Sequence, residues 1–194
     1  LFRSDRRRVV VGKPFHKTPM FSHAISYAEF NPTWTVPRSI AGNEILPKLR
    51  KNPSYLEKNN YKVHTSWKAD APAMDPHSVD WSSVSAKNFP YRIVQQPGGN
   101  NALGQVKFMF PNKLNIYLHD TPAKNLFAKE TRAFSHGCIR VEKPLEFAER
   151  LFGSRSLNQS KINSILAKPS TQRVNLSKPV PIHLTYFTVW IENG

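Results

Sequence analysis

Cysteine is almost absent from this sequence, since Cys138 is the single cysteine among 194 residues. One thiol excludes an internal disulfide framework and any zinc site built from several cysteines. Acidic residues are also scarce: 13 Asp and Glu stand against 28 Lys and Arg, which gives a formal net charge of +15. No apolar run approaches the ~20 residues that a membrane-spanning helix needs. The sequence therefore predicts no such span.

The rest of the composition is that of a folded protein. Apolar residues make up 39% of the chain and include 12 Phe, 6 Tyr and 4 Trp, which is enough for a core. The length fits one domain, or one domain with a substantial insertion. The positive charge favours a polyanionic environment such as nucleic acid, anionic lipid or an acidic cell-wall polymer, but it is equally compatible with a merely basic surface.

Apolar periodicity predicts strands at both ends of the chain. A short buried strand is predicted over residues 8–11, and the closing segment 179–191, apolar on both faces, predicts another buried strand. Residues 114–119 alternate, so that Leu114, Ile116 and Leu118 share one face while Asn115, Tyr117 and His119 share the polar face. Further strands are predicted over residues 24–30, 91–95 and 105–110.

Residues 38–90 differ in character from both flanks. Two short helices are predicted over 44–51 and 53–59, with Asn43 and Asn52 as N-caps. Prolines, serines and isolated aromatics follow without a steady period. A long region of this kind is typical of a functional lid or binding loop, with tryptophans such as Trp67 and Trp81 forming its small core.

Two helices are predicted after Cys138. The first begins at Pro144 and ends at Gly153. The second begins at a capping box formed by Ser156 and Gln159 and ends at Lys168.

The stretch around Cys138 reads AFSHGCIRV, and the thiol has polar, flexible and cationic neighbours. A thiol becomes a good nucleophile when a base or positive charge favours the thiolate. His119, His136 and Arg140 are candidates for that role. Gly137 lets the chain bend tightly, so that its amide and that of Cys138 can converge as an oxyanion hole.

Two other interpretations of Cys138 stay open from the residues alone. A lone cysteine is often inert core packing. His119, His136 and Cys138 are also favoured zinc ligands, although that site needs a fourth ligand and shows no compact ligand motif.

The chain resembles the L,D-transpeptidase (YkuD-type) family. The resemblance is carried by IYLHD, then fifteen residues from Asp120 to Phe134, then SHGCIR, and it extends to VVVGKPFHKTP, FNPTWTVPRSI and PVPIHLTYFTVW. These stretches look like those of the large envelope members of Gram-negative bacteria, in which a substrate-capping insertion falls where residues 38–90 lie. Family domains normally begin with a further strand and larger members carry more modules, so we expect residues 1–194 to be the catalytic part of a longer protein.

The resemblance implies a mainly β (α+β) catalytic sandwich of mixed sheets with a few helices and a lid. It implies 3→3 cross-linking of peptidoglycan, in which Cys138 attacks the third stem residue, expels D-alanine and passes the thioester to a second stem. His119 is then the base, held by the carbonyl of Asp120, and the amides of Gly137 and Cys138 form the oxyanion hole. The remaining expected site residues are His136, which shapes the loop, and three substrate-binding residues, namely Ser135, Arg140 and Tyr117.

The implied partners are tetrapeptide donor stems and a diaminopimelate amine acceptor, with carbapenem β-lactams as covalent inhibitors and the periplasm or cell envelope as location. No metal or organic cofactor is expected, because an activated thiol and an oxyanion hole suffice for acyl exchange. Water or a lipoprotein lysine as acceptor, and a non-catalytic cationic binding module, are the alternatives. Arg140 either anchors a substrate carboxylate or braces the loop.

Overall fold

A computed structural model describes residues 5–187 of the chain. Within this range the larger sheet has seven strands in the order β11-β2-β7-β8-β10-β1-β9. Pairing is mixed, because β10 runs parallel to β8 and β1 parallel to β9, whereas the other neighbours are antiparallel. The strands are β1 (Val9–Gly12), β2 (Phe21–Phe30), β7 (Val106–Met109), β8 (Leu118–His119), β9 (Ala133–Ser135), β10 (Ile139–Val141) and β11 (Gln172–Leu184).

The smaller sheet is shared between the predicted lid region, residues 38–90, which supplies two strands, and the segments that flank it, which supply the other two. Its four strands follow the order β3-β6-β4-β5 and are β3 (Trp34–Thr35), β4 (Tyr61–His64), β5 (Ala73–Met74) and β6 (Arg92–Gln95). A continuous helical stretch precedes β4 and consists of α1 (Arg38–Ile40), a π-helical turn (Ala41–Ile45) and α2 (Leu46–Lys51); the short α3 (Tyr55–Lys58) follows.

Each sheet has its own hydrophobic core. Under the large sheet, Phe30, Phe108 and Phe110 are fully buried beside α4 (Pro144–Phe152) and α5 (Gln159–Leu166). The second cluster lies between residues 36 and 93 and contains Trp81 at 3% exposure. Two sheets and a few helices confirm the predicted mainly β class.

Both predicted C-terminal helices are present, although the cap of the second was predicted wrongly. Asn158, not Ser156, caps α5, because its side chain accepts a hydrogen bond from the Lys161 amide. The first of the two caps predicted in the lid region was also wrong, because helical backbone begins at Arg38 after Pro37, so that Asn43 lies inside a helical turn. Asn52 ends α2, and its side chain also accepts a hydrogen bond from the Ser54 amide just before α3, which is the contact expected of a cap.

The predicted strand over residues 114–119 forms only at its end. Asn112 uses its side chain to accept hydrogen bonds from the amides of Leu114 and Ile116 and to donate to the Ile116 carbonyl. Asn115 has a left-handed backbone (φ 53°). A side chain that occupies backbone groups in this way competes with strand pairing, and Leu114 is consequently exposed.

The closing strand was predicted as buried on both faces, and this is wrong for its described part. β11 begins earlier, at Gln172, and lies at the edge of the sheet with alternating half-buried and exposed residues. One face of β11 packs on the core through Val174, Leu176, Ile182 and Leu184, and the other face is exposed to solvent. The predicted strand residues 188–191 lie outside the described residues.

Candidate active site

The loop from Ser135 to Cys138 joins β9 to β10 and is held from two sides. Gly137 has φ 117°, and a Cβ at this position would lie 3.3 Å from Cδ1 of Ile116. The Gly137 carbonyl accepts a hydrogen bond from Oγ1 of Thr18 at 2.8 Å. The Thr18 carbonyl in turn accepts one from the Tyr186 hydroxyl at 2.9 Å. Glycine is thus required by the backbone conformation, and the loop is anchored to the segment after β11.

Ser135 braces the same loop from inside. Its Oγ accepts a hydrogen bond from the Gly137 amide at 3.1 Å and donates one to the Cys138 carbonyl at 2.6 Å. The Gly137 amide, expected in the oxyanion hole, is therefore already engaged. Within residues 5–187, no hydrogen bond uses the Cys138 amide. Ser135 is 3% exposed, and although it lines the cavity, its hydroxyl is engaged in these two loop contacts.

His119 is buried, and its ring orientation is fixed by the next residue. Nδ1 donates to the main-chain carbonyl of Asp120 at 2.5 Å, and because a carbonyl only accepts, Nδ1 carries the proton and Nε2 is free to accept one. The carboxylate of Asp120 has a separate task. It accepts hydrogen bonds from the amides of Gln105 and Thr121 and pairs with Lys124.

Three basic side chains lie side by side across the large sheet. Lys107 of β7 is paired in register with His119 of β8, which is paired in register with Arg140 of β10. Paired residues of adjacent strands point to the same face. The imidazole therefore lies between an ammonium and a guanidinium.

These surroundings keep the imidazole neutral. Burial lowers the pKa of His119 to about 3, the Asp120 carbonyl opposes this, and the charges of Arg140 and Lys107 lower the pKa further. A group with so low a pKa is unprotonated at neutral pH.

The thiol is also neutral in this arrangement. Burial raises the pKa of Cys138. Smaller effects lower this pKa, namely hydrogen bonding with the main chain and hydroxyl of Tyr117 and the positive charges of Arg140 and Lys107. Sγ donates to the carbonyl of Asn115 at 3.6 Å. Within the described residues no hydrogen bond joins Cys138 to His119. Tyr117 lies close to both residues. Its ring centroid is 5.7 Å from that of His119, and hydrogen bonding by its hydroxyl lowers the pKa of the Cys138 thiol.

One cavity of about 860 Å³ contains these groups. Cys138, His119, Arg140 and Tyr117 line it together with Trp34 and Trp67. Burial lowers the pKa of Arg140, and its Nε is buried without a hydrogen-bond partner. In residues 5–187 no carboxylate lies within ion-pair distance of its guanidinium.

His136 connects the loop to the lid region. Its Nε2 lies 2.8 Å from Oε1 of Glu44, which belongs to the π-helical turn, and its ring lies 5.0 Å from the ring of His16. Among the described residues this is the single ion pair between residues 38–90 and the rest of the chain. It places the lid helix directly beside the loop that carries the thiol.

Comparison with known proteins shows the family to which the chain belongs. The family model described as the YkuD L,D-transpeptidase catalytic domain matches residues 2–170. The chain belongs to the YkuD L,D-transpeptidase family. It is also 38% identical, over 187 residues, to a putative L,D-transpeptidase of Haemophilus influenzae. That alignment covers 96% of this chain and 37% of the relative, so the chain spans little more than a third of the relative's length.

Family membership confirms the resemblance found in the sequence, and with it an L,D-transpeptidase catalytic domain that belongs to the transferases. The roles of individual residues stay predictions. The structure brings seven of the predicted residues to the cavity or to the loop from Ser135 to Cys138, which we call the catalytic loop after its predicted role. The Asp120 carboxylate lies outside, and only the carbonyl of that residue contacts His119. In the described residues, no three His, Cys, Asp or Glu side chains converge as metal ligands, so the zinc interpretation finds no ligand set there.

Sequence reasoning missed Lys107, its partner Glu29, and Glu44. Lys107 lies within the correctly predicted strand 105–110. Its alternation with the buried Phe108 was the available signal that it lies on the polar face. Nothing in the sequence gave the register that brings it beside His119. Within residues 5–187 the structure has no helix long and apolar enough to cross a membrane.

Proposed function

We propose that this chain is the catalytic part of a peptidoglycan L,D-transpeptidase that forms 3→3 cross-links through a thioester on Cys138. The observation that carries the proposal is that Cys138, His119 and Arg140 line one cavity in a chain of this family, which acts on peptidoglycan peptides. Within residues 5–187, the buried Nε of Arg140 has no hydrogen-bond partner. Because the chain spans only part of its relative, the activity of the whole protein belongs to the proposal.

In the acylation step, Sγ of Cys138 bonds to the carbonyl carbon of the third stem residue, and the thiol proton passes to Nε2 of His119. The bond to the terminal D-alanine then breaks, and the departing amine takes the proton from Nε2. A second stem supplies a side-chain amine that attacks the thioester, gives its proton to His119 and forms the new amide. Sγ leaves as the thiolate and recovers the proton.

The oxyanion of each tetrahedral intermediate needs hydrogen-bond donors. The Cys138 amide is available for this purpose. The Gly137 amide becomes available when the Ser135 side chain rotates and breaks the 3.1 Å hydrogen bond between its Oγ and that amide.

Substrate binding would activate the neutral pair. Arg140 and Lys107 disfavour the imidazolium, so a carboxylate that approaches them offsets their charge and makes His119 a stronger base. The stem peptide carries such carboxylates. By this route an anionic substrate in the cavity would favour transfer of the thiol proton to His119.

Arg140 is proposed to anchor a substrate carboxylate. Bracing the loop would require a hydrogen bond from the guanidinium to a loop carbonyl or side chain, and its buried Nε makes none. Leaving a buried charged donor unpaired costs stability. A substrate carboxylate is the partner that would compensate for this cost.

The lid and the surface charge fit the same reaction. Glu44 ties the lid to the catalytic loop, and excluding water would favour the amine acceptor over hydrolysis. The net charge of +15 suits an acidic cell-wall polymer. We place the protein in the periplasm or cell envelope, where this polymer lies, and fractionation of cells that express the full-length protein tests the placement.

The decisive experiment incubates the purified protein with defined tetrapeptide muropeptides and analyses protein and products by mass spectrometry. We expect a covalent adduct on Cys138, free D-alanine and a 3→3 dimer. Cys138→Ala should give none of these, and His119→Ala should reduce all of them severely while the protein stays folded. D-alanine release unchanged in either variant would overturn the mechanism.

The same products identify the acceptor. Tripeptide without dimer indicates an L,D-carboxypeptidase, and a conjugate with a lysine peptide indicates a lipoprotein-attaching enzyme. Muropeptide binding without any covalent change, identical in Cys138→Ala, would instead support a non-catalytic cell-wall-binding module.

A further inference from the structure

The ion pair between Lys107 and Glu29 lies directly beside the proposed catalytic histidine. Nζ of Lys107 is 2.7 Å from Oε2 of Glu29, and the two residues are register partners on β7 and β2. Lys107 is also the register partner of His119 on its other side. Its Nζ lies 5.7 Å from the centroid of the Tyr117 ring. Both side chains of the pair are largely buried, at 16% and 22% exposure.

Four polar side chains on neighbouring strands therefore form a row across the large sheet. Reading across β2, β7, β8 and β10, it runs from the carboxylate of Glu29 through the ammonium of Lys107 and the imidazole of His119 to the guanidinium of Arg140. The ammonium faces the cavity, whereas Glu29 does not line it. Besides the Cys138 thiol, the other titratable groups that line the cavity are Tyr117 and the contacting pair Glu44 and His136. The Asp120 carboxylate lies outside the cavity and pairs with Lys124.

We propose that Lys107 is a positioning residue of the proposed reaction: held by Glu29, its ammonium favours the thiolate of Cys138 and disfavours the protonated form of His119, while Glu29 moderates both effects. This rests on the proposed function, because it assigns the thiol and the imidazole to chemistry. Lys107 acts through those two groups and the intervening Tyr117.

The physical basis is the effect of a fixed charge in a poorly solvated site. A cation close to a thiol stabilises the thiolate, and the same cation destabilises an imidazolium. Lys107 lowers the pKa of both Cys138 and His119, in agreement with its position. A paired carboxylate partly cancels the electric field of the cation. Removing Lys107 therefore makes the field at the thiol less positive, whereas removing the charge of Glu29 makes it more positive.

Opposite signs make the proposal testable. Lys107→Met removes the cation and should raise the pH at which Cys138 becomes reactive. Glu29→Gln, which is nearly isosteric, leaves the cation uncompensated and should lower that pH. Lys107→Arg keeps the charge and should restore the behaviour of the native protein. Loss of local packing alone would move both charge-removing variants in the same direction.

The readout is the rate of Cys138 alkylation by iodoacetamide between pH 6 and 10, followed by intact mass. No other thiol is present to compete. At a fixed pH below the inflection we expect Lys107→Met to slow alkylation by about three- to tenfold and Glu29→Gln to accelerate it by a similar factor. Lys178→Met removes an exposed lysine that does not line the cavity and serves as the matched control, with no shift expected.

Each outcome decides the matter. Shifts of opposite sign with rescue by Lys107→Arg support the proposal. Shifts of the same sign, or no shift in Glu29→Gln, overturn it, and Glu29→Gln carries the test alone where Lys107→Met does not fold. Alkylation needs no peptidoglycan, so a failure of the transpeptidase proposal appears separately as the absence of D-alanine release.

Discussion

The amide of Gly137 donates a hydrogen bond to the side chain of Ser135 at 3.1 Å, although the chemistry of acyl transfer calls for that amide in the oxyanion hole. The same Oγ donates to the Cys138 carbonyl. Ser135 therefore both holds the loop in shape and occupies a donor that the reaction needs.

Replacing Ser135 tests this double role. Ser135→Ala leaves the partly buried Cys138 carbonyl without its donor, and we expect a loss of about 1–3 kcal/mol in the free energy of unfolding together with acylation slowed by about tenfold or more. Ser135→Thr keeps the hydroxyl and should retain most of both. Thermal unfolding and acyl-enzyme formation by intact mass measure the two effects. Faster acylation in the alanine variant would mean that Ser135 only blocks the hole.

Arg140 offers a test of substrate anchoring. Arg140→Gln removes a cation that lowers the pKa of Cys138 and whose buried Nε has no hydrogen-bond partner within residues 5–187. We expect a rise in KM for tetrapeptide of about tenfold or more and slower alkylation of the thiol at neutral pH. Arg140→Lys should keep the alkylation rate but not the KM, because an ammonium lacks the bidentate geometry of a guanidinium. An unchanged KM in Arg140→Gln would return this residue to a bracing role.

The contact between Glu44 and His136 predicts the choice between transfer and hydrolysis. Glu44→Ala removes the single ion pair that joins residues 38–90 to the rest of the described chain. We expect the ratio of hydrolysed to transferred product to rise by about threefold or more, because water enters a less firmly closed site. Product analysis with equal amounts of acceptor measures this ratio.

A matched control for Glu44 exists within the lid region. Glu57 pairs with His77 at 3.2 Å, and both residues lie between positions 38 and 90. Glu57→Ala removes a similar pair without touching the catalytic loop and should leave the ratio unchanged. Equal effects of the two substitutions would show that general weakening of the lid region, and not its attachment, controls the acceptor.

Acylation by a carbapenem should depend on pH in a defined direction. Because the pKa of Cys138 is raised by burial, the thiol is protonated at neutral pH, and the thiolate fraction grows about tenfold per pH unit below that pKa. We expect the acylation rate to rise as pH increases from 6 towards 9, as a property of the Cys138–His119 pair. Intact mass followed by peptide mapping should place the adduct on Cys138. A flat profile, or an adduct that persists in Cys138→Ala, would contradict this mechanism.

The sequence predicted which residues meet at the site better than it predicted the charges that surround them. The loop from Ser135 to Cys138 is contiguous in the sequence, and His119 lies at the end of the single strand β8. Short motifs therefore identify these residues. Lys107 and Glu29 become neighbours of His119 only through the pairing register of β2, β7 and β8. Glu44 and His136 are far apart in sequence and meet through packing of the lid region. Spacing along the chain carries no signal for either contact.

The errors in secondary structure have local causes. Alternating apolar residues predicted a strand through Leu114, but the Asn112 side chain takes the backbone groups that a neighbouring strand would use. The apolar segment after Pro179 predicted a buried strand, whereas the described part of β11 lies at a sheet edge. Apolar periodicity predicts which residues are buried, but it does not predict that a side chain will form the backbone hydrogen bonds of a neighbouring strand.

The anchoring of Gly137 through Thr18 to Tyr186 has a pharmacological consequence. The Tyr186 side chain is 54% exposed, so a compound could bind over it from the surface and displace its hydroxyl from the Thr18 carbonyl. The catalytic loop would then loosen although the cavity stayed empty. Inhibition of this kind would be non-competitive with stem peptides, and a compound without a β-lactam ring would offer no bond for a β-lactamase to hydrolyse.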